Sequence, residues 1–362
     1  MKKNKSEDTP NNRKTYSTKP GLIGLYLIWE DKTTQRTKPN LNDSALKLVK
    51  ELIDDADKYN VSIEKTASGA TLIDTSIRAQ GGFLAGKIVS EICLGEYATT
   101  TIAPIQYNDD TVLPSAFVHT DHPTLSTLAA QLADWKIKIN DFSAIACGPA
   151  RALALESPDV FEKISYKEEG DKAVLALETE TSPPKEAVEH IASKCKVTPS
   201  NLYLILFSPR NLTGATQISS RTVGAGIYKL LMLGFDPWLV HHAWGYAPIL
   251  PLHHTYEQKS VEATDVITYA STACYQVNYA DDQKLGNFVL KLPASASKML
   301  QEAKKLAEKN PELRELLNAN SSDSSEQIVT PAMITVNNLK TGKNFSTGNL
   351  EIQVLKELFN IP

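Results

Sequence analysis

Several short phrases bring charged or reactive side chains to positions where a turn is expected. "TDHP" sets Asp121 and His122 directly before a helix expected to start near Pro123, so Asp121 can cap that helix or face a ligand. "CGPARALA" places Gly148 and Pro149 in a turn ahead of a short helix. The free backbone N–H groups of such a turn can hold an anion beside Arg151; alternatively it is a plain strand-to-helix turn with Arg151 as a surface charge. "HHAWGYAPILPLHH" surrounds Ala247 to Pro251 with His241, His242, His253 and His254. That pattern suits a metal site, an alternative base, or merely solvated and packed histidines, and no Asp or Cys stands beside it at ligand spacing. The four cysteines, Cys93, Cys147, Cys195 and Cys274, form no CxxC and have no histidine at ligand spacing. This argues against a structural zinc site or a disulfide framework, and it fits a reducing cytoplasm.

The elements that must position these residues read as mixed helix and strand. A chain of 362 residues, 42% hydrophobic, can bury a large core and is long enough for two domains. Residues 1–39 hold nine Lys and Arg against four Asp and Glu, while the whole chain carries −4, so the body is acidic. Sequence-independent nucleic-acid binding needs clustered positive charge and is disfavoured. The basic extension reads as a disordered tail ending in the apolar run Gly21 to Trp29, which is too short to span a membrane and lacks a cleavage site after it.

Past Pro39, Asn42 is expected to cap a helix with Ala45, Leu46, Val49, Leu52 and Ile53 on one face. "VSIEK" and "ATLIDTSI" read as a hairpin. "KAVLALE", a helix opened by Ser182 and Pro183, and the apolar "NLYLILF" form a β-α-β unit with a buried second strand. Gln217 to Leu233 suits one helix, "DVITYASTACYQVNYA" two short strands, residues 295–318 an amphipathic helix, residues 318–327 a polar loop, and "AMITVNNL" a final strand. The fold class expected is mixed α/β. A boundary in the charged stretch Tyr166 to Lys172 divides it into the extension 1–39, a first domain 40–168 and a second domain 169–362.

Four phrases carry a family resemblance: "GGFLAGKIVSEICLG" (Gly81 to Gly95), "HTDHPTLSTLAAQLADW" (His119 to Trp135), "CGPARALAL" (Cys147 to Leu155) and "TVNNLKTGK" (Thr335 to Lys343). In that order and spacing, from about Asn40 to the C-terminus, the chain resembles the methenyltetrahydromethanopterin cyclohydrolases. The resemblance implies two α/β domains with a reduced pterin in the cleft between them. It further implies a cytoplasmic homo-oligomer, with a trimer as one form, acting in one-carbon metabolism and methanogenesis without a cofactor, metal, nucleic acid or membrane. Water adds to the amidinium carbon of the cyclic carrier, and one carbon–nitrogen bond then breaks to leave a formyl group. Such a step needs a carboxylate to take the proton and basic groups for the anionic tail.

In the family that carboxylate is a Glu three residues after an Arg on one helix. Here Arg221 is kept and the partner position is Gly224, which cannot take a proton. The loop Val261 to Asp265 also departs from the family's Gly-Arg-Thr-Asn-Asp. Glu262 is therefore the expected substitute carboxylate near Arg221, the alternative being a loop that no longer touches substrate. The catalytic pair expected is Arg221 with Glu262, and the substrate contacts implied are Asp121, His122, Gly148, Pro149, Arg151, Gln217 and Asp265. A second function stays open: a catalytically silenced paralogue that binds a reduced pterin or a sister subunit.

Overall fold

The computed structural model describes residues 39–253, 261–297 and 329–362. The expected tail and strand of the extension, His254, the polar loop 318–327 and most of the helix expected over 295–318 lie outside the described residues.

The chain begins with α1 (Leu41–Asp54) and α2 (Ala56–Tyr59), the hairpin β1 (Ser62–Lys65) and β2 (Thr71–Asp74), then α3 (Phe83–Cys93). The long strands β3 (Thr99–Asn108) and β4 (Thr111–Thr120) lead into a helix of π type, Thr124–Gln131, and then β5 (Trp135–Ile139) and β6 (Phe142–Cys147). After the short helices α4 (Ala150–Ala154) and α5 (Pro158–Ile164) come β7 (Ala173–Glu178), α6 (Lys185–Cys195) and β8 (Leu202–Phe207). The chain continues through α7 (Leu212–Ser219), α8 (Thr222–Met232), β9 (Val240–Pro248), α9 (Asp265–Ala270), β10 (Thr272–Val277) and α10 (Asp282–Val289). It closes with β11 (Met333–Asn338), β12 (Asn344–Gly348) and α11 (Ile352–Phe359).

Two six-stranded sheets result, in the orders β1-β2-β8-β7-β6-β5 and β12-β11-β10-β9-β4-β3. In the first, β2, β8 and β7 run parallel and the outer strands antiparallel. Its centre is sandwiched: Leu175, Leu177 and Leu204 pack toward Val188 and Ile191 of α6, whereas Val174, Ala176 and Ile205 pack toward Leu46 and Val49 of α1 and Ile88 and Ile92 of α3. This two-sided burial is why "AVLALE" and "LYLILF" are apolar without alternation. The second sheet buries Val118, Ala243, Tyr275 and Ile334 against Leu128 of the π helix and Val223 and Ile227 of α8.

Both sheets take strands from either side of Tyr166 to Lys172, so the layers interleave along the chain, and Asn40–Pro362 form one compact unit by their internal contacts. The charged stretch is itself tied into the core. Glu168 accepts hydrogen bonds from the backbone N–H groups of Leu41 and Asn42, at 3.1 and 3.0 Å, and from Asn42 Nδ2 and Tyr166 Oη. A carboxylate at the start of α1 satisfies donors the helix cannot satisfy itself.

Three local expectations are corrected. Asn40, not Asn42, caps α1 by accepting from the Asp43 N–H at 2.7 Å; Asn42 is buried, with its amide between Glu168 and the Val174 N–H. "DVITYA" is a helix rather than a strand, since Val266, Ile267 and Ala270 bury one helical face against α11 and β9. The helix expected over Gln217 to Leu233 starts earlier and breaks at Ser220 and Arg221 into α7 and α8.

Candidate functional site

The break between α7 and α8 is built by hydroxyl side chains that compete with the helical ladder. Ser220 Oγ donates to the Gln217 carbonyl at 2.6 Å, Thr222 Oγ1 to the Ser219 carbonyl at 2.9 Å, and Ser219 Oγ to the Pro248 carbonyl at 2.7 Å. The last bond ties the corner to the end of β9. Gln131, from the end of the π helix, donates to Ser220 Oγ at 3.0 Å. Arg221 thus stands at a fixed bend where helices, the first sheet and the second sheet meet.

From that bend its guanidinium reaches the end of β7. Arg221 Nη2 donates to Glu178 Oε2 at 2.8 Å, and the two side chains are only 13% and 16% exposed. Gln217, one turn earlier and fully buried, accepts from Arg221 Nε at 3.0 Å and from Nη2 at 2.6 Å. Gln217 Nε2 in turn donates to Cys147 Sγ at 3.6 Å, and Cys147 Sγ lies 3.6 Å from Cys93 Sγ. Among the described residues, Arg221 Nη1 and Glu178 Oε1 carry no protein partner. Burial by itself would lower the Arg221 pKa, but the Glu178 carboxylate and the Cys147 thiol outweigh it and hold the guanidinium above its ordinary value. The Cys93 contact, followed by nearby Arg221, brings the Cys147 thiol below its ordinary value despite burial, while burial pushes Cys93 up.

Gly224 lies one turn into α8, facing the π helix. A Cβ there would sit 3.1 Å from Thr127 Cβ and 3.4 Å from Gln131 Oε1, so a side chain at 224 would enter the seam between the helices. Gly226 admits Tyr275, whose Oη donates to the Val223 carbonyl at 3.0 Å and would lie 2.1 Å from any Cβ at 226. In "GGFLAG", a Cβ at Gly86 would stand 2.6 Å from Thr216 Cβ, so that glycine lets α3 lie close on α7.

Among the described residues, none of the other expected residues pairs with Arg221 or Glu178. Glu262 is exposed before α9, and its backbone N–H donates to Asp265 Oδ2 at 2.9 Å; the carboxylate that meets Arg221 is Glu178. Arg151 is wholly buried: it pairs with Asp134 at 2.7 Å, donates to the carbonyls of Leu128 and Glu156, and lies over the Phe161 ring. It has no surface to offer an anionic tail. Burial lowers its pKa and Asp134 offsets part of that. Gly148 and Pro149 are buried too, and the Gly148 N–H donates to the Ala130 carbonyl at 2.8 Å, so this turn supports the end of the π helix.

Asp121 does not cap that helix; its Oδ1 meets His242 Nδ1 at 2.7 Å, and this hydrogen bond holds the exposed Asp121 carboxyl below its ordinary range. Asp121, His122, His241, His242 and Trp238 line a pocket of about 320 Å³ at the start of β9. It lies six residues along the strand from Pro248, roughly 20 Å at about 3.3 Å per residue. Among the described residues no group of three or more His, Cys, Asp or Glu is arranged to hold a metal ion, and no helix is long and apolar enough to cross a membrane.

Glu178 went unmarked because nothing local distinguishes it: it is the last residue of an apolar strand. One signal was present. It ends a parallel strand, and in open α/β sheets ligands bind outside the carboxyl ends of such strands.

Comparisons with known proteins concern the chain as a whole. The family model described as "Cyclohydrolase (MCH)" matches residues 40–359. A methenyltetrahydromethanopterin cyclohydrolase of Methanococcoides burtonii is 31% identical over 322 residues, covering 89% of this chain and 98% of the relative. Proteins of the same name from Methanothermobacter marburgensis and Methanocaldococcus jannaschii are each 32% identical, covering 89% and 88% of this chain and 99% and 97% of themselves.

Proposed function

Because the chain belongs to the methenyltetrahydromethanopterin cyclohydrolase family, we propose that it hydrolyses methenyltetrahydromethanopterin to the formyl form, with Glu178 and Arg221 as the reacting pair. The observation that carries this reading is the 2.8 Å ion pair in a largely buried corner, in which Glu178 Oε1 and Arg221 Nη1 have no protein partner among the described residues. Glu178 Oε1 takes the proton of the attacking water, and its negative charge favours the amidinium cation. Arg221 Nη1 donates to the oxygen added at the amidinium carbon. The proton held at Glu178 then passes to the nitrogen released when the carbon–nitrogen bond breaks, and the added hydroxyl gives its own proton to solvent as the formyl carbon–oxygen double bond forms, so one proton is released overall and the carboxylate is regenerated. No redox step enters this chemistry, because the carbon is activated by its own charge. On this reading the protein is a cytoplasmic homo-oligomer whose partner is a reduced pterin.

The test follows the methenyl chromophore after adding wild-type protein, Glu178→Gln or buffer. Turnover by the wild type is expected, with a loss of about 10²-fold to 10⁴-fold in Glu178→Gln. Equal rates in the two proteins would remove Glu178 from the reaction. A second reading rests on Gly224, the empty family position: binding of the pterin without decay above buffer would make this a catalytically silent pterin-binding protein.

A further inference from the structure

Resting on that reading of Arg221 and Glu178, we propose that Gln217, anchored on the Cys147 thiol, is the positioning residue that aims the guanidinium. Gln217, for which the resemblance implied a substrate contact, is fully buried. Its side chain instead joins two groups of opposite demand. A guanidinium only donates, so the carboxamide oxygen must face Arg221, where it takes both Nε and Nη2. The carboxamide nitrogen then faces a sulfur that can accept, Cys147 Sγ at 3.6 Å. The two contacts agree on one amide orientation, which neither alone would hold as firmly. With the Nε edge clamped, rotation of the guanidinium is blocked. Nη2 keeps its second hydrogen for Glu178, and Nη1 has no protein partner among the described residues.

Cys147 is held in turn. It closes β6, where its Cα pairs with Ala176, two residues before Glu178 on β7. The thiol that orients Gln217 and the carboxylate that meets Arg221 therefore ride on neighbouring strands of the same sheet. A line of contacts runs Cys93, Cys147, Gln217, Arg221, Glu178, and only its last two members reach the surface.

The test pairs kinetics with a readout that needs no turnover. Gln217→Leu is expected to lower kcat by about tenfold to a hundredfold with KM within about threefold, as misplacement of a reacting group does. In ¹⁵N–¹H spectra of arginine side chains, Arg221 is expected to show separate, slowly exchanging Nη signals in the wild type that merge in Gln217→Leu. Should that variant fail to fold, Cys147→Ala is expected to lower kcat severalfold and soften the same signals, and Cys147→Ser, whose hydroxyl accepts the same N–H, to restore both. Unchanged Arg221 signals in Gln217→Leu, parallel shifts of kcat and KM, or identical behaviour of Cys147→Ala and Cys147→Ser would each overturn the proposal. Ordered wild-type signals that merge in Gln217→Leu, without any turnover, would support the positioning and sink the proposed activity.

Discussion

Two arginines, Arg151 and Arg221, both stand out in the sequence beside small residues, and Arg151 donates to the Leu128 carbonyl of the π helix while Arg221 follows Ser220, which Gln131 of that helix contacts. Arg151 is wholly enclosed, with a carboxylate, two carbonyls and an aromatic ring around it. Arg221 is clamped on one edge by Gln217, paired on the next by Glu178, and open on the last. Two carboxyl-bearing residues repeat the contrast. Glu168 is surrounded by donors from α1 and Tyr166, whereas among the described residues Glu178 accepts from one side-chain nitrogen and its Oε1 has no partner. A charge shut away from solvent among internal partners organises the fold, even though Arg151 Nε itself lacks an acceptor. A charge held in place that still reaches the surface, as at Arg221 and Glu178, can act on a ligand.

The sharpest way to break this comparison is to remove each guanidinium in turn. Arg221→Met is expected to cost about 10³-fold in turnover, the scale for losing a preorganised donor, with little change in urea stability. Arg151→Met is expected to do the reverse and destabilise by about 3–5 kcal/mol in urea titration, because it leaves Asp134 largely buried without its partner. Similar stability losses in both variants would remove the distinction.

The carboxylates offer a finer test through pH. Burial raises the Glu168 pKa from its ordinary 4.5, with the surrounding donors offsetting part of the rise. A raised acid favours folding most where it is protonated in both states; that contribution is lost as pH rises from the ordinary value through the raised folded one. Across that window the wild type is expected to lose stability relative to Glu168→Gln, which has no proton to release. A constant difference between the two stability curves would show that Glu168 is not charged at the cost supposed. The smallest effect belongs to Asp121. Its contact with His242 is exposed, so Asp121→Asn is expected to leave turnover within about twofold and melting unchanged, as for surface ion pairs generally. A large loss of turnover would move the site to the His242 pocket.

Much of the fold was legible because burial leaves periodic traces. The hairpin of β1 and β2, the β7-α6-β8 unit and β11 follow from runs whose spacing reports which face is covered. "DVITYA" misled because six residues rich in β-branched and aromatic side chains suit either state, and packing against α11 decided it. The break at Ser220 was hidden for a related reason: its hydroxyls act through the Pro248 carbonyl and Gln131, both remote in sequence.

The sequence by itself determined the family, the alternation of helices and strands, and the placing of Arg221 three residues before a glycine at 224. Those are properties of residue order, readable along one helix or strand. Only the tertiary structure decided which carboxylate meets Arg221, that Gln217 holds it, and that Arg151 is enclosed. Glu178 and Arg221 are separated by 43 positions, and their meeting depends on where β7 ends and at what angle α8 leaves α7. A hydrogen bond depends on tenths of an ångström and on direction, and no pattern of spacing along the chain encodes either.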